Sequence, residues 1–192
     1  MQVTSAYKAR IKKTGYAGAM KDTVRCFCDA VDFLVQRIDL SWEEICRVPT
    51  ERSRRKNFIE HLFHQTKDNP SPRHGQFDVL FPGMPSYFRR AAMAKAYGIV
   101  SSCRSNYENW EEGGKKGNPP VLPRHSHAAP TFYRGNTFLE GEGKDTLRLK
   151  LLVGGKWKFV NIPMRHSDME YIRRKWSGKK ENCPALSRAN GY

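Results

Sequence analysis

The sequence predicts an α+β fold: a small β-barrel whose first strand is separated from the others by an inserted helical domain. Three observations predict it. A short alternating stretch opens the chain, a strong 3.6-residue periodicity fills its middle, and alternation returns towards its end.

In residues 2–13, Val3, Tyr7, Ala9 and Ile11 lean to one side, while Lys8, Arg10 and Lys12 lie on the other. That is a half-buried strand with a basic outer face, so residues 1–15 become the first barrel strand. Residues 16–112 are the helical lobe. From Met20 to Leu40, the apolar positions Val24, Phe27, Cys28, Val31, Leu34, Val35 and Ile38 follow a 3-4 spacing, which makes an amphipathic helix. Ser41 and Glu44 have capping-box spacing ahead of a short helix with Trp42 and Ile45. Thr50 caps a third helix to about Gln65, with Phe58, Ile59, Leu62 and Phe63 facing the core. Residues 67–85 are a loop rich in Pro and Gly. Pro85-Ser86 opens a long helix to about Trp110, with Phe88, Ala92, Ala96, Ile99, Cys103 and Trp110 as its buried stripe. Gly98 lies in mid-helix, where it costs about 1 kcal/mol relative to Ala, and it suggests close approach by another backbone.

Residues 113–130 carry Gly, Pro and Lys without periodicity and read as a linker. Residues 131–192 hold the remaining strands and a short helix. Thr146–Val153 alternates, Gly154-Gly155 supplies a two-residue turn, and Lys156–Met164 returns. Ser167 and Glu170 form a second capping box, for a helix to Trp176. Pro184–Arg188 reads as another strand and Asn190-Gly191 as a hairpin turn. A hairpin without its second strand leaves ladder groups unpaired, so completion by further chain or by a partner is expected.

The formal net charge is +15, from 34 Lys and Arg against 19 Asp and Glu. The excess is not a tail: residues 1–110 hold 18 basic and 11 acidic residues, and residues 111–192 hold 16 and 8. Phosphate backbones are the commonest partner for such an excess, because each contact releases condensed counterions. No apolar run approaches the ~18 residues of a membrane span, and the polar N-terminus has no secretory h-region. Five cysteines without a CxxC pair suit reduced thiols in a cytosolic protein. Cys26 and Cys28 point about 200° apart on a helix, which disfavours a zinc site with His61 and His64. The acids are scattered among basic residues, and no nucleophile–base pair stands out. No metal, cofactor or catalytic activity of the chain by itself is therefore expected.

The candidate contact residues follow from charge and spacing. Arg54, Arg55 and Lys56, with Arg52, crowd the first turns of the third helix, where cations oppose the helix dipole. An anionic partner or a solvated face would both explain them. Arg90, Tyr97, Ser101, Arg104 and Ser105 share one face of the long helix, away from its apolar stripe. Arginine reads guanine edges or phosphates, and serine either. Lys115, Lys116 and Arg124 flank the Pro-Pro linker, and Arg134 and Asn136 sit in Tyr-Arg-Gly-Asn. Lys8, Arg10 and Lys12 with Arg148, Lys150 and Lys158 could make one basic barrel face, with Trp157 and Phe159 as stacking or core aromatics.

Four stretches in order resemble the N-terminal part of the TnpB (OrfB) family of insertion-sequence RNA-guided endonucleases, relatives of the type V CRISPR effectors. They are Arg54–Glu60; Pro85–Ala92 leading into Gly98–Ser102 and Asn106-x-x-Asn109-Trp110; Pro119-Pro120-x-Leu122-Pro123 then Tyr133–Asn136; and Trp157–Pro163 followed by Cys183–Leu186. The resemblance implies a wedge-type, OB-like barrel with a helical recognition lobe. It implies contacts with guide RNA, guide–target heteroduplex and target-adjacent DNA, and adds Tyr87, Ser102 and Asn109 to the contact residues. The family continues into a RuvC-like nuclease with three acidic metal ligands, and none of these follows Tyr192. Binding without cleavage is therefore expected. Completion by a separate RuvC-like chain, or a non-cleaving regulator, are the alternatives.

Overall fold

A computed structural model describes residues 6–50, 54–141, 143–176 and 183–187. The elements run α1 (Ala17–Leu40), α2 (Trp42–Arg47), α3 (Arg54–Phe63), α4 (Gln76–Leu80), α5 (Ser86–Glu112), β1 (Phe138–Glu140), β2 (Thr146–Val153), β3 (Lys156–Pro163) and α6 (His166–Trp176). Helices and an antiparallel sheet coexist, so the fold is α+β. The chain divides into two units: residues 1–23 with 131–185, and residues 24–130 with 186–192.

The first unit is built on an open three-stranded sheet of order β1-β2-β3. Gly154 and Gly155 both have positive φ, at 56° and 75°. That is the conformation a tight hairpin turn demands, and it pairs Val153 with Lys156 and Leu149 with Val160. Among the described residues of the expected first strand, 6–15, no strand forms. Of these only Ile11 makes a bridge, to Met164, flanked by hydrogen bonds from Lys12 N to Pro163 O and from Arg165 N to Arg10 O. This short pairing continues the β3 side of the sheet. Ala185 likewise contributes a single bridge, to Thr131, where a strand over Pro184–Arg188 is expected. Arg188 and the Asn190-Gly191 turn lie outside the described residues. On the β1 side, the Tyr133–Asn136 turn folds back: Gly135 N donates to Phe138 O and Phe138 N to Tyr133 O.

The second unit packs α1 to α5 around an apolar core. Phe27, Val31, Leu34 and Ile38 of α1 are buried with Ile59 and Phe63 of α3 and Phe88, Ala92 and Ala96 of α5. Phe33 lies within 6.1–6.4 Å, centroid to centroid, of Phe63, Phe77 and Phe81, in tilted or edge-on contacts. Phe77 comes from α4, a helix inside the segment expected to be a plain loop. Its burial, rather than local propensity, is what orders α4.

Three local expectations are corrected. Ser41 stands at the N-terminus of α2 but makes no side-chain cap; it is buried, and its Oγ lies 3.3 Å from His74 Nε2. The buried stripe of α5 runs through Met93 and Val100 rather than Ile99 and Cys103, which are only half-buried. Gly98 approaches no other backbone, since a Cβ built on it would meet nothing within 4 Å. The third helix begins by Arg54; residues 51–53, beside the expected Thr50 cap, lie outside the described residues.

Two substitutions separate these forces. Gly98→Ala is expected to raise stability by about 1 kcal/mol, because the helix gains propensity at no steric cost. Phe77→Ala is expected to lower it by about 3–5 kcal/mol, by emptying the centre of the aromatic cluster. Urea denaturation of both variants measures the two effects.

Candidate nucleic-acid interface

Directly opposed residues of an antiparallel pair share a face. Phe138, Leu149 and Val160 stand opposite one another, and Leu147 opposite Ile162. With Leu151 they form the inner face, where all but Leu147 are buried. The other face pairs Arg148 with Asn161, Lys150 with Phe159 and Leu152 with Trp157, and none of these six is buried. Lys150 Nζ lies 5.0 Å and the Arg148 guanidinium carbon 5.8 Å from the Phe159 ring centroid. Phe159 and Trp157 are therefore half-exposed aromatics on a basic face, not core. Lys158 does not join it: it stands opposite Leu151, one residue out of phase with Arg148 and Lys150. Because Ile11 pairs with buried Met164, alternation places Arg10 and Lys12 on the open side, and both are exposed, as is Lys8.

Helix α6 fixes the position of this N-terminal arm. The Arg10 backbone N–H and the Tyr7 hydroxyl both donate to Asp168, each at 2.8 Å, and Tyr7 stacks on Tyr171 at 4.6 Å. The Arg10 hydrogen bond first, then that of Tyr7, holds the Asp168 carboxyl below its ordinary range. The bond to Asp168 raises the Tyr7 hydroxyl in return. Asp145 is lowered in the same way, first by its hydrogen bond with His166 at 2.7 Å. Arg173 donates to it as well, at 3.0 Å.

The cations expected on the α5 face are tied to neighbouring groups. Arg90 Nε donates to Glu60 Oε2 at 2.8 Å, beside the buried Arg89, which holds Glu60 Oε1 at 2.9 Å. Arg104 pairs with Asp39 at 2.6 Å. Tyr97 stacks on Trp42 at 5.5 Å and accepts a hydrogen bond from Arg55 at 2.8 Å. Arg55 also donates to the carbonyls of Val48 and Cys46, so it ties down the end of α2. Burial pushes the Glu60 carboxyl up, but the hydrogen bonds from Arg89 and Arg90 outweigh it and leave the group below its usual value.

Other expected contact residues remain on the surface. Arg54 and Lys56 are exposed, and among the described residues neither has an ion-pair partner. Tyr87, Ser102, Ser105 and Asn109 are exposed, and Ser101 is half-buried. Lys115 has a positive φ of 58°, and its amine lies 5.7 Å from the Trp110 ring centroid and 3.3 Å from Glu111. Lys116 and Arg124 are exposed. Arg134 pairs with Glu140 at 2.9 Å, and the Asn136 amide turns back to the Arg134 carbonyl at 3.4 Å. Lys95, Ser102 and Asn106 line an open groove of about 570 Å³ with Ile99, Cys103 and Pro120.

Sequence reasoning grouped Arg148 and Lys150 with the aromatics Trp157 and Phe159, but it missed Asn161 and placed Lys158 on the same face. The Gly154-Gly155 turn was the available signal, because it alone fixes which residues oppose one another. The histidine pairs are engaged separately: His64 lies 3.0 Å from Asp78 and His125 3.6 Å from Asp32. Among the described residues, no three His, Cys, Asp or Glu side chains converge as a metal site requires. Among them, too, no helix is long and apolar enough to cross a membrane.

Glu60, Asp145 and Asp168 titrate lower in the folded chain than in the unfolded one. Each therefore adds stability above the ordinary carboxylate value of about 4, and loses it as pH falls through the folded value. The urea midpoint is expected to drop as pH is taken below about 4, and Glu60→Gln to flatten that drop. An unchanged pH dependence in the variant would remove Glu60 from the account.

No curated protein and no solved structure matches the chain. The sequence model of the Aq_aa04 family matches residues 4–153, a stretch that takes in every helix from α1 to α5 and strands β1 and β2. The chain belongs to the Aq_aa04 family.

Proposed function

We propose that the chain is a nucleic-acid-binding module with no nuclease site of its own. One observation carries the reading: the way charge is divided between the units. Residues 1–23 and 131–185 hold 17 Lys and Arg less 7 Asp and Glu, a net +10. The larger unit holds 17 less 12, a net +5. Its helix-face arginines are neutralised by Glu60 and Asp39, whereas Lys8, Arg10 and Lys12 are exposed. A sheet-based unit with this much surplus positive charge suits a phosphate backbone.

The finer reading follows the ordered motifs. It makes the chain the N-terminal part of a TnpB-like RNA-guided DNA endonuclease. The sheet would belong to a closed wedge-type barrel, and α1 to α5 to a recognition lobe. Guide RNA and target DNA would be the partners, with cleavage left to a RuvC-like domain or a separate chain. A chain that occupies DNA or RNA without either partner would instead be a regulator. RNA recovered with the purified protein tests this directly: enrichment of one structured transcript supports a guide complex, and random RNA counts against it.

The charge reading is tested by binding across a salt series. The logarithm of affinity is expected to fall linearly with the logarithm of salt. Lys8→Gln, Arg10→Gln and Lys12→Gln should each reduce the slope by up to about 1 where the cation meets a phosphate. Arg104→Gln should change it less, because Asp39 already holds that cation. Salt-insensitive binding, or none, would overturn the proposal.

A further inference from the structure

A sheet with one buried face ordinarily keeps its other face polar. Here the open face carries Leu152, Trp157 and Phe159 among Arg148, Lys150 and Asn161, and none of the six is buried. A half-buried phenylalanine beside two cations suits a ligand that is both flat and anionic. Aromatic rings stack on nucleobases, and arginine and lysine on the same platform meet phosphates.

We propose that the open face of β2 and β3 binds single-stranded RNA by stacking unpaired bases. The proposal rests on the nucleic-acid reading above and names the substrate class within it. Two features favour a single strand over a duplex. A sheet face with aromatics needs bases that are free of their own stack, which a duplex does not offer. Arg148 and Lys150 lie over the Phe159 ring, at 5.8 and 5.0 Å from its centroid, so a phosphate beside a base on that ring meets both cations.

Asn161 points to ribose. It is exposed and stands opposite Arg148, two residues along β3 from Phe159. Its amide offers a donor and an acceptor, which is what a 2′-hydroxyl needs to be distinguished from hydrogen. The exposed Arg10 and Lys12 fall on the same side by alternation, so the phosphates of a strand leaving the platform have cations to follow.

The test uses the full chain and four fluorescein-labelled probes: a 12-nucleotide oligouridine, a mixed-sequence single-stranded RNA, its duplex, and the DNA version of the single strand. Single-stranded RNA is expected to bind at least tenfold tighter than the duplex at equal salt. Phe159→Leu keeps apolar bulk but removes the ring, and is expected to weaken single-strand binding about tenfold with the salt slope unchanged. Lys150→Gln is expected to lower the slope by about 0.7 instead. DNA is expected to bind several-fold more weakly than RNA, and Asn161→Ala to erase that difference. A thermal melt establishes that each variant is folded.

The outcomes separate the two readings. No binding to any probe overturns both. Duplex binding as tight as single-strand binding, or a folded Phe159→Leu variant that binds normally, overturns the platform and leaves the general reading standing. Equal affinity for RNA and DNA overturns the assignment to RNA.

Discussion

The turn at Gly154 and Gly155 sorts every side chain of β2 and β3 between core and surface. Both residues need positive φ, which an L side chain adopts only with strain. Once they are in place, Leu149, Leu151, Val160 and Ile162 face inward together. A slip of one residue would send them all outward and bring Arg148, Lys150 and Phe159 into the core. The same register that hides the apolar residues thus assembles the basic aromatic face. Folding and the proposed binding share one constraint.

The helical unit uses its charges differently. Arg55, Arg89, Arg90 and Arg104 are held by carbonyls, a tyrosine hydroxyl or carboxylates within the unit. Arg89 is largely buried, and its pairing with Glu60 relieves much of the cost of enclosing a cation. Arg55, Arg90 and Arg104 look like ligand contacts when only their spacing is known. Their partners, Glu60 and Asp39, lie 30 and 65 residues away in sequence from Arg90 and Arg104. Spacing along one helix carries no information about such distant acids.

Much of the fold was legible for physical reasons. α1, α5 and the β2–β3 hairpin follow from periodicity and turn chemistry, which are local. What was not legible depends on distant contacts. α4 exists because Phe77 fills the centre of an aromatic cluster drawn from α1 and α3, and its five residues carry too little propensity to declare themselves. Ser41 has capping spacing, yet His74, 33 residues on, takes its hydroxyl. The opening segment alternates like a strand, but among its described residues only Ile11 pairs, while Tyr7 and Arg10 are drawn to Asp168. For the site, the charge was plain from composition. The division between engaged and exposed cations needed the pairing partners.

The two margins of the small sheet are guarded differently. On one side residues 10–12 pair beyond β3. On the other, β1 is three residues long, and the turn before it claims the backbone N–H and carbonyl of Phe138. An apolar strand with a long unpaired edge recruits copies of itself into growing assemblies. The cover from residues 10–12 reaches only the Pro163 end of β3. Along the rest of the strand Lys156 and Lys158 are exposed, and lysines on an edge strand discourage a further strand from pairing. Repulsion between like charges, rather than cover, keeps that edge from recruiting copies.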